Sequence, residues 1–118
     1  MATDASTLYK LIILYMLDRV NSPMTNAQIS QFILEKGYTT YFTLQEVIST
    51  LISDGFITEE SYHSSTHYSI TDSGRETINF FKYKISSSII SDINVFLSDN
   101  KYELKEAVNN ISEYYKAT

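Results

Sequence analysis

The sequence predicts a mainly α-helical protein with one small β-hairpin. Several segments repeat apolar residues at steps of three and four, which is typical of helices with one buried face. Three of them begin at a threonine in the position of a helix cap. A single pair of short runs, 56–62 and 67–70, is rich in aromatic and β-branched residues and flanks a polar turn at 63–66. We therefore expect helices before and after one hairpin.

Length and composition limit the class of protein. A chain of 118 residues is long enough for one domain, and its 6 Phe and 10 Tyr argue against a disordered chain. The absence of cysteine excludes disulfides and thiolate catalysis. The longest apolar run, Leu11 to Leu17, is too short to span a bilayer and lacks the features of a signal peptide. We expect a soluble, cytoplasmic protein.

The first helix is predicted from a cap at Asp4 or Ser6 to about Val20. Apolar residues lie on nearly all of its sides, so we expect it to be covered on more than one face. Pro23 disfavours helical geometry in the residue before it and ends this segment. Met24 is then expected to form a very short strand.

Two further helices follow. Thr25 and Gln28 have the spacing of a capping box, which predicts a helix to about Glu35, with Ile29, Phe32 and Ile33 buried. After a turn at 38–42, Thr43 and Glu46 repeat that spacing and predict a central helix to Asp54. Its expected buried positions are Leu44, Val47, Ile48, Leu51 and Ile52.

The hairpin leads into the C-terminal part of the chain. Thr71 is the expected cap of a helix anchored by Ile78, Phe80 and Phe81. A break at 82–85 precedes a helix from Ser86 to about Leu97. The last stretch, 102–118, fits a helix, but a strand beginning at Ile111 is equally compatible with its pattern.

This order of elements predicts a winged helix-turn-helix over residues 1–81, followed by one or two C-terminal helices within 82–118. The helix after Ser86 has an apolar stripe that needs a partner. We expect it to pack on the first helix or to form a homodimer interface. The candidate dimer residues are Leu8, Ile12, Ile89, Ile93 and Phe96.

Several segments also resemble a known family. The segments 11–18, 24–29, 38–45 and 51–57 resemble a winged-helix family of Gram-positive anaerobes that is catalogued as a domain of unknown function. The segment 68–75, Tyr-Ser-Ile-Thr-Asp-Ser-Gly-Arg, is similar to the strand-to-helix junction of multiple-antibiotic-resistance-type and phenolic-acid-type repressors. The resemblance implies a DNA-binding transcriptional regulator. Members of the first family continue with a strand-rich segment, so it also implies a shortened chain or a short member.

If the protein binds double-stranded DNA, the central helix enters the major groove. Gln45 would pair with an adenine edge, and Thr43 and Ser49 would contact bases or phosphates. The start of the preceding helix and the hairpin would contact the sugar-phosphate backbone of the DNA. The complete set of candidate DNA-binding residues is Thr25, Asn26, Gln28, Thr40, Tyr41, Thr43, Gln45, Ser49, His63, Ser65 and His67.

The charge distribution opposes this function and leaves a second one open. Four basic side chains stand against nine acidic ones through residue 81, and none of the basic ones lies between Lys36 and Arg75. DNA binding draws most of its affinity from Lys and Arg. If the protein does not bind DNA, the candidate DNA-binding residues are ordinary helix caps and solvent-exposed polar side chains. The alternative is a protein-interaction module that uses the aromatic surface around Tyr38, Tyr41 and Tyr62.

Catalysis and metal binding have little support. The chain has 3 Gly and no glycine-rich phosphate loop. Glu59 and Glu60 are adjacent strand positions, whose side chains point to opposite faces and do not act as an acid–base pair. A metal at His63 and His67 would need further ligands from Glu59, Glu60 or another chain, so exposed hairpin side chains are the favoured interpretation. We expect no enzymatic activity, no metal and no cofactor.

Overall fold

The computed structural model describes residues 5–20 and 22–100. This part of the chain is mainly helical and carries a small antiparallel sheet, as predicted. The elements are α1 Ala5–Arg19, β1 Met24–Thr25, α2 Asn26–Glu35, α3 Tyr41–Ser53, β2 Ile57–Tyr62, β3 Ser65–Ile70, α4 Asp72–Phe81, a 3-10 turn Lys82–Lys84, and α5 Ser87–Asp99. The cap at Asp4 and the ambiguous stretch 102–118 lie outside the described residues.

Helix α1 forms the centre of the core. Its buried side chains are Leu11, Ile12, Ile13, Leu14, Met16 and Leu17. This confirms that α1 is covered on more than one face, because no single face of a helix contains four consecutive residues. Ser6 lies within the helix, so its prediction as the cap is wrong.

Helix α2 begins and ends as predicted. The Gln28 amide donates to Thr25 Oγ1 at 3.1 Å, and the Thr25 amide donates to Gln28 Oε1 at 2.8 Å, which completes the capping box. Gly37 follows the helix with a φ of 70°, a left-handed conformation that glycine adopts without strain. Ile29, Phe32 and Ile33 are buried.

Helix α3 begins at Tyr41, two residues before the predicted cap Thr43. Its N-cap is Thr40, whose Oγ1 accepts a hydrogen bond from the Thr43 amide at 3.2 Å. The predicted capping box of Thr43 and Glu46 is therefore wrong, because Thr40 already supplies the same hydroxyl at the same spacing one turn earlier. The predicted buried face is confirmed at Leu44, Val47, Ile48 and Leu51, and Ile52 is half-buried.

The three strands form a sheet in the order β1-β3-β2. Met24 pairs with Tyr68, which confirms the very short first strand. Strands β2 and β3 are joined by a two-residue turn, His63-Ser64, in which both residues have a positive φ of 52° and 63°. The predicted four-residue turn is wrong, because Ser65 and Thr66 belong to β3. A two-residue turn with positive φ angles matches the right-handed twist of paired strands, which favours the shorter connection.

The start of α4 is fastened to the end of α3. Thr71 Oγ1 accepts from the Gly74 amide at 3.0 Å and donates to the Gly55 carbonyl at 2.7 Å, while the Thr71 amide donates to the Phe56 carbonyl at 3.0 Å. A Cβ atom on Gly74 would lie 2.1 Å from that same Phe56 oxygen. Residue 74 therefore has to be glycine for α4 to approach this closely.

Only one face of α4 is buried. Ile78 is fully buried and Phe81 is half-buried, whereas Phe80 is 71% exposed. The prediction of Phe80 as an anchor is wrong, because the three- and four-residue steps of the buried face run through Gly74, Ile78 and Phe81 and leave Phe80 outside it.

Helix α5 packs on its own chain. Ile93, Phe96 and Leu97 are buried. The centroid of the Phe96 ring lies 5.1 Å from that of the Phe32 ring of α2. Asn94 Nδ2 lies 3.4 Å from the Tyr15 hydroxyl of α1, to which it donates. Among the candidate dimer residues, Ile12, Ile93 and Phe96 belong to the chain's own core, and Leu8 and Ile89 are half-buried. The homodimer stays a prediction.

The contact between α5 and the turn after α2 is polar. The Tyr38 hydroxyl donates to Asp92 Oδ2 at 3.1 Å, and Lys36 Nζ lies 3.9 Å from Asp92 Oδ1. Burial, followed by the hydrogen bond to Asp92 and the negative charge of that residue, raises the pKa of Tyr38 to about 12. The phenol is therefore neutral at physiological pH and available as a donor to Asp92.

We predict that Gly74→Ala lowers the free energy of unfolding by about 2–3 kcal/mol, because the new methyl group meets the Phe56 carbonyl. Gly55→Ala is the matched control. Gly55 has a φ of 81° and open space around it, so its substitution costs only about 1 kcal/mol of backbone strain. Urea denaturation measures both values, and an equal loss in the two variants would contradict the close approach of α4.

Candidate functional site

A groove of about 630 Å³ lies between the first turn of α3, the start of α2 and the hairpin. We call it the α3–hairpin groove. Its lining residues are Thr25, Asn26, Ala27, Ser30, Tyr41, Gln45, Glu59, Ser64, Ser65, Thr66 and Tyr68. Of the candidate DNA-binding residues, the groove brings together Thr25, Asn26, Tyr41, Gln45 and Ser65.

Asn26 connects three elements at the base of this groove. Its Nδ2 donates to Gln45 Oε1 on α3 and to the Tyr68 hydroxyl on β3, each at 2.9 Å. Its Oδ1 accepts from Gln45 Nε2 and from Ser30 Oγ, each at 3.2 Å. The two amides thus form a reciprocal pair that fixes α3 against α2.

This pairing changes the interpretation of the predicted adenine contact. Both polar atoms of the Gln45 amide are bonded to Asn26, so an adenine edge would have to compete with an existing pair. Thr25 and Gln28 likewise bond each other in the cap. The polar groups that the sequence suggested for DNA contact here already stabilise the fold.

Little in the sequence predicts this network of hydrogen bonds. The one signal was two amides, Asn26 and Gln45, on helices that were predicted to be neighbours. Tyr68 was the missing third member, and it is only 3% exposed. Its pKa is raised chiefly by burial, and the charges of Glu59 and Tyr41 act in the same direction, while the hydrogen bond from Asn26 opposes them.

The remaining candidates on α3 differ in accessibility. Ser49 is exposed on the outer face of the helix, beside the exposed Glu46. Thr40 is exposed, but its hydroxyl donates to the half-buried Thr43 hydroxyl at 3.2 Å. Tyr41 is 54% exposed. Ser49 and Tyr41 are therefore the most accessible of the predicted contacts on α3.

The candidate DNA-binding residues of the hairpin lie in two places, at its tip and within a strand. His63 and Ser65 are exposed at or beside the turn. His67 is half-buried in the central strand, opposite Thr25 and Glu60, so it is not part of the tip.

An aromatic pair dominates the first turn of α3. Phe42 is 73% exposed, and the adjacent Tyr41 is 54% exposed. The predicted aromatic surface included Tyr38 as well, but Tyr38 is half-buried and bonded to Asp92, so that part of the prediction is wrong. The side chain of Tyr62 lies outside the described residues. Sequence reasoning missed Phe42 because it was assigned to a turn.

The groove and its surroundings are acidic. Glu59 lines the groove, and Glu46 and Glu60 are exposed on its two flanking elements. Two basic residues of the described ranges pair with carboxylates away from the groove: Arg75 with Asp18 at 3.2 Å, and Lys36 with Asp92. The segment 37–74, which contains α3 and the hairpin, has no Lys or Arg of its own.

Two broader properties of the described ranges bear on the site. No helix within residues 5–20 and 22–100 has the length and apolar character needed to cross a membrane. Across those same residues, no group of three or more His, Asp or Glu side chains is arranged to hold a metal ion.

A protein-family model matches residues 9–118, which is nearly the whole chain. The chain belongs to the DUF4364 family, a domain of unknown function. The expectation of an uncharacterised family is confirmed. No curated protein and no solved structure shows significant similarity to this DUF4364 chain.

We predict that Asn26→Ala lowers the free energy of unfolding by about 2–3 kcal/mol, because it leaves Gln45 and the buried Tyr68 hydroxyl without their partner. Asn79→Ala makes the same substitution at an exposed position of α4 and should change stability by less than about 0.5 kcal/mol. Urea denaturation distinguishes the two, and an Asn26→Ala value as small as the control would show that the amide pair contributes little.

Proposed function

We propose that this DUF4364 domain is a winged helix-turn-helix that binds duplex DNA as a transcriptional regulator. The observation that supports it best is the arrangement around α3. The reciprocal amide pair of Asn26 and Gln45 holds α3 against α2, while the outer edge of α3 and the hairpin tip are both exposed. Two adjoining exposed elements of this kind suit a major groove and the backbone or minor groove beside it.

The order and pairing of the elements support the proposed class. Helices α1, α2 and α3, the pairing of β1 with β3, the hairpin and α4 follow one another as they do in winged helices. In the proposed complex Ser49 contacts a base edge from the middle of α3, and Tyr41 contacts the backbone from its first turn. His63 and Ser65 approach the neighbouring groove from the hairpin tip.

The acidic surface sets the strength of the proposed binding. Few counterions are released when few Lys or Arg side chains approach phosphates, so the affinity should be low and the salt dependence shallow. Binding is best measured at low ionic strength, where the repulsion from Glu46 and Glu59 is also strongest. Charge reversal near α3 therefore provides a sensitive test.

We predict that Glu46→Lys strengthens binding to a duplex about tenfold at low salt. Replacing a carboxylate by an ammonium about 6 Å from a phosphate changes the Coulomb energy in water by about 1.4 kcal/mol, which is about tenfold in affinity. The slope of log K against log salt should steepen by about one. Fluorescence anisotropy on random and genomic duplexes measures both quantities.

The matched control is Asp99→Lys, which makes the same change of net charge at the exposed C-terminal end of α5. It should shift the affinity less than twofold. Equal gains in the two variants would indicate a non-specific effect of net charge and would contradict an interface at α3. Absence of binding by all three proteins at low salt would overturn DNA binding itself.

A second candidate function is docking to another protein, and the exposed aromatic pair favours it. Tyr41 and Phe42 stand together in the first turn of α3, with Glu46 one turn further along. Aromatic side chains are enriched in protein interfaces and supply much of their affinity. The carboxylates around them would suit a partner with a basic rim.

Phe80 offers a matched control for this function, because it is 71% exposed against 73% for Phe42 but lies on α4. If α3 docks to a protein, a tagged wild-type chain and Phe80→Ala should recover the same stoichiometric protein from native lysate. Phe42→Ala should recover at least about tenfold less, as expected for an aromatic anchor. Equal recovery with both variants, or recovery of DNA alone, would count against protein docking at α3.

A further inference from the structure

A second concave site lies on the other side of α3, between α1 and α4. It is a cleft of about 260 Å³, and we call it the α1–α4 cleft. The two helices run in opposite directions, since Asp18 near the end of α1 pairs with Arg75 near the start of α4, while Lys10 of α1 and Lys84 after α4 line the same cleft. None of its lining residues belongs to the α3–hairpin groove.

Most of the residues that line the cleft are apolar. Leu14 of α1 and Leu51 of α3 are fully buried and form its floor. Phe56 and Phe81 are half-buried and form its walls. Part of these aromatic surfaces still faces solvent, so an occupant with an apolar segment would remove additional apolar area from water.

Two lysines also line the cleft. Lys10 is half-buried in the first half of α1, and Lys84 stands on the 3-10 turn after α4. Lys84 Nζ lies 5.8 Å from the centre of the Phe81 ring and 5.9 Å from that of Tyr83, so two aromatic faces hold the ammonium at the cleft.

Among the described residues, these two lysines differ from Arg19, Lys36 and Arg75, which have polar partners, and they share the lack of an ion pair with Lys82, which does not line the cleft. Within the described ranges, Lys36 and Arg75 have carboxylate partners, and Arg19 Nε lies 3.4 Å from Asn94 Oδ1. Neither Lys10 nor Lys84 takes part in an ion pair among the described residues, and no acidic residue is among those that line the cleft. Two ammonium groups beside an apolar floor, in a chain with a net charge of −5, form a local site for an anion.

We propose that the α1–α4 cleft binds a small amphiphilic anion, with its carboxylate or phosphate head at Lys10 and Lys84 and its apolar tail against Phe56 and Phe81. Charge complementarity selects the head, and the aromatic walls select the tail. At about 30 Å³ for each water-sized group, the volume accommodates eight to ten non-hydrogen atoms. An eight-carbon tail matches this size, with its acidic head at the two lysines, and the site is independent of whether α3 binds DNA.

Binding of octanoate, octyl phosphate and 1-octanol to the full chain tests this assignment. Calorimetry below the micellar concentrations should show one saturable site for at least one of the two anions, with a dissociation constant at least about tenfold lower than that of octanol. The tighter of the two anions identifies the head group. Equal binding of octanol and both anions, or no saturable binding of either anion, would overturn the proposal.

Charge-removing variants locate the site. Lys10→Gln and Lys84→Gln should each weaken binding of the better anion about fivefold or more, and the octanol affinity should hardly change. Lys82→Gln is the control, because Lys82 is exposed on the same 3-10 turn but does not line the cleft. Equal effects of Lys82→Gln and Lys84→Gln would overturn the proposed position of the head.

A filling variant tests the tail independently of charge. Thr77 lines the cleft from α4 and is half-buried, and Thr77→Trp should occupy the space beside Phe81. It should abolish binding of the anion while all three lysines are retained. Thermal unfolding confirms that the variant is folded, and unchanged affinity in the folded variant would overturn the proposal.

Discussion

The apolar surface of α1 is the constraint on which the fold depends. Four consecutive side chains, Leu11 to Leu14, are buried. Four consecutive residues point to all sides of a helix, so the middle of α1 is apolar around its whole circumference. The other elements have to cover it from several directions, and each contributes only one apolar face. Helix α5 adds Ile93 and Phe96 to the same core, where the Phe96 ring packs against Phe32 of α2 and Asn94 donates to the Tyr15 hydroxyl of α1.

Polar contacts then fix how the covering elements are oriented. Asn26 joins α2, α3 and β3 through side-chain hydrogen bonds, and Thr71 joins the start of α4 to the segment after α3. Each such hydrogen bond adds only modest net stability, but a buried polar group that loses its partner costs free energy. These contacts therefore favour one packing arrangement of the helices over alternatives in which the same groups would be unpaired. They also leave α3 with fewer free polar groups on its surface than its sequence suggests.

Two regions of the described surface differ in charge. The α3–hairpin groove is flanked by Glu46, Glu59 and Glu60, whereas the α1–α4 cleft carries Lys10 and Lys84. Leu51 of α3 lies in the floor of the cleft, and Gln45 of the same helix lines the groove. One helix thus contributes to both regions, and the two proposed activities can be tested separately because they share no lining residue.

The sequence by itself determined the mainly helical class, the order of the elements, the caps at Thr25 and Thr71 and most buried stripes, because these depend on residues three or four positions apart. It misplaced the cap of α3, since Thr40 and Thr43 have equivalent spacings and only the complete turn selects between them. The local sequence pattern also predicted that Gln45 contacts DNA, that Phe80 is buried in the core and that Phe42 belongs to a turn. Only the tertiary structure decided that Gln45 pairs with Asn26, that Phe42 and Phe80 are exposed, and that Lys10 and Lys84 meet at one cleft. Those outcomes depend on which distant segments pack together, a property that short-range periodicity does not encode.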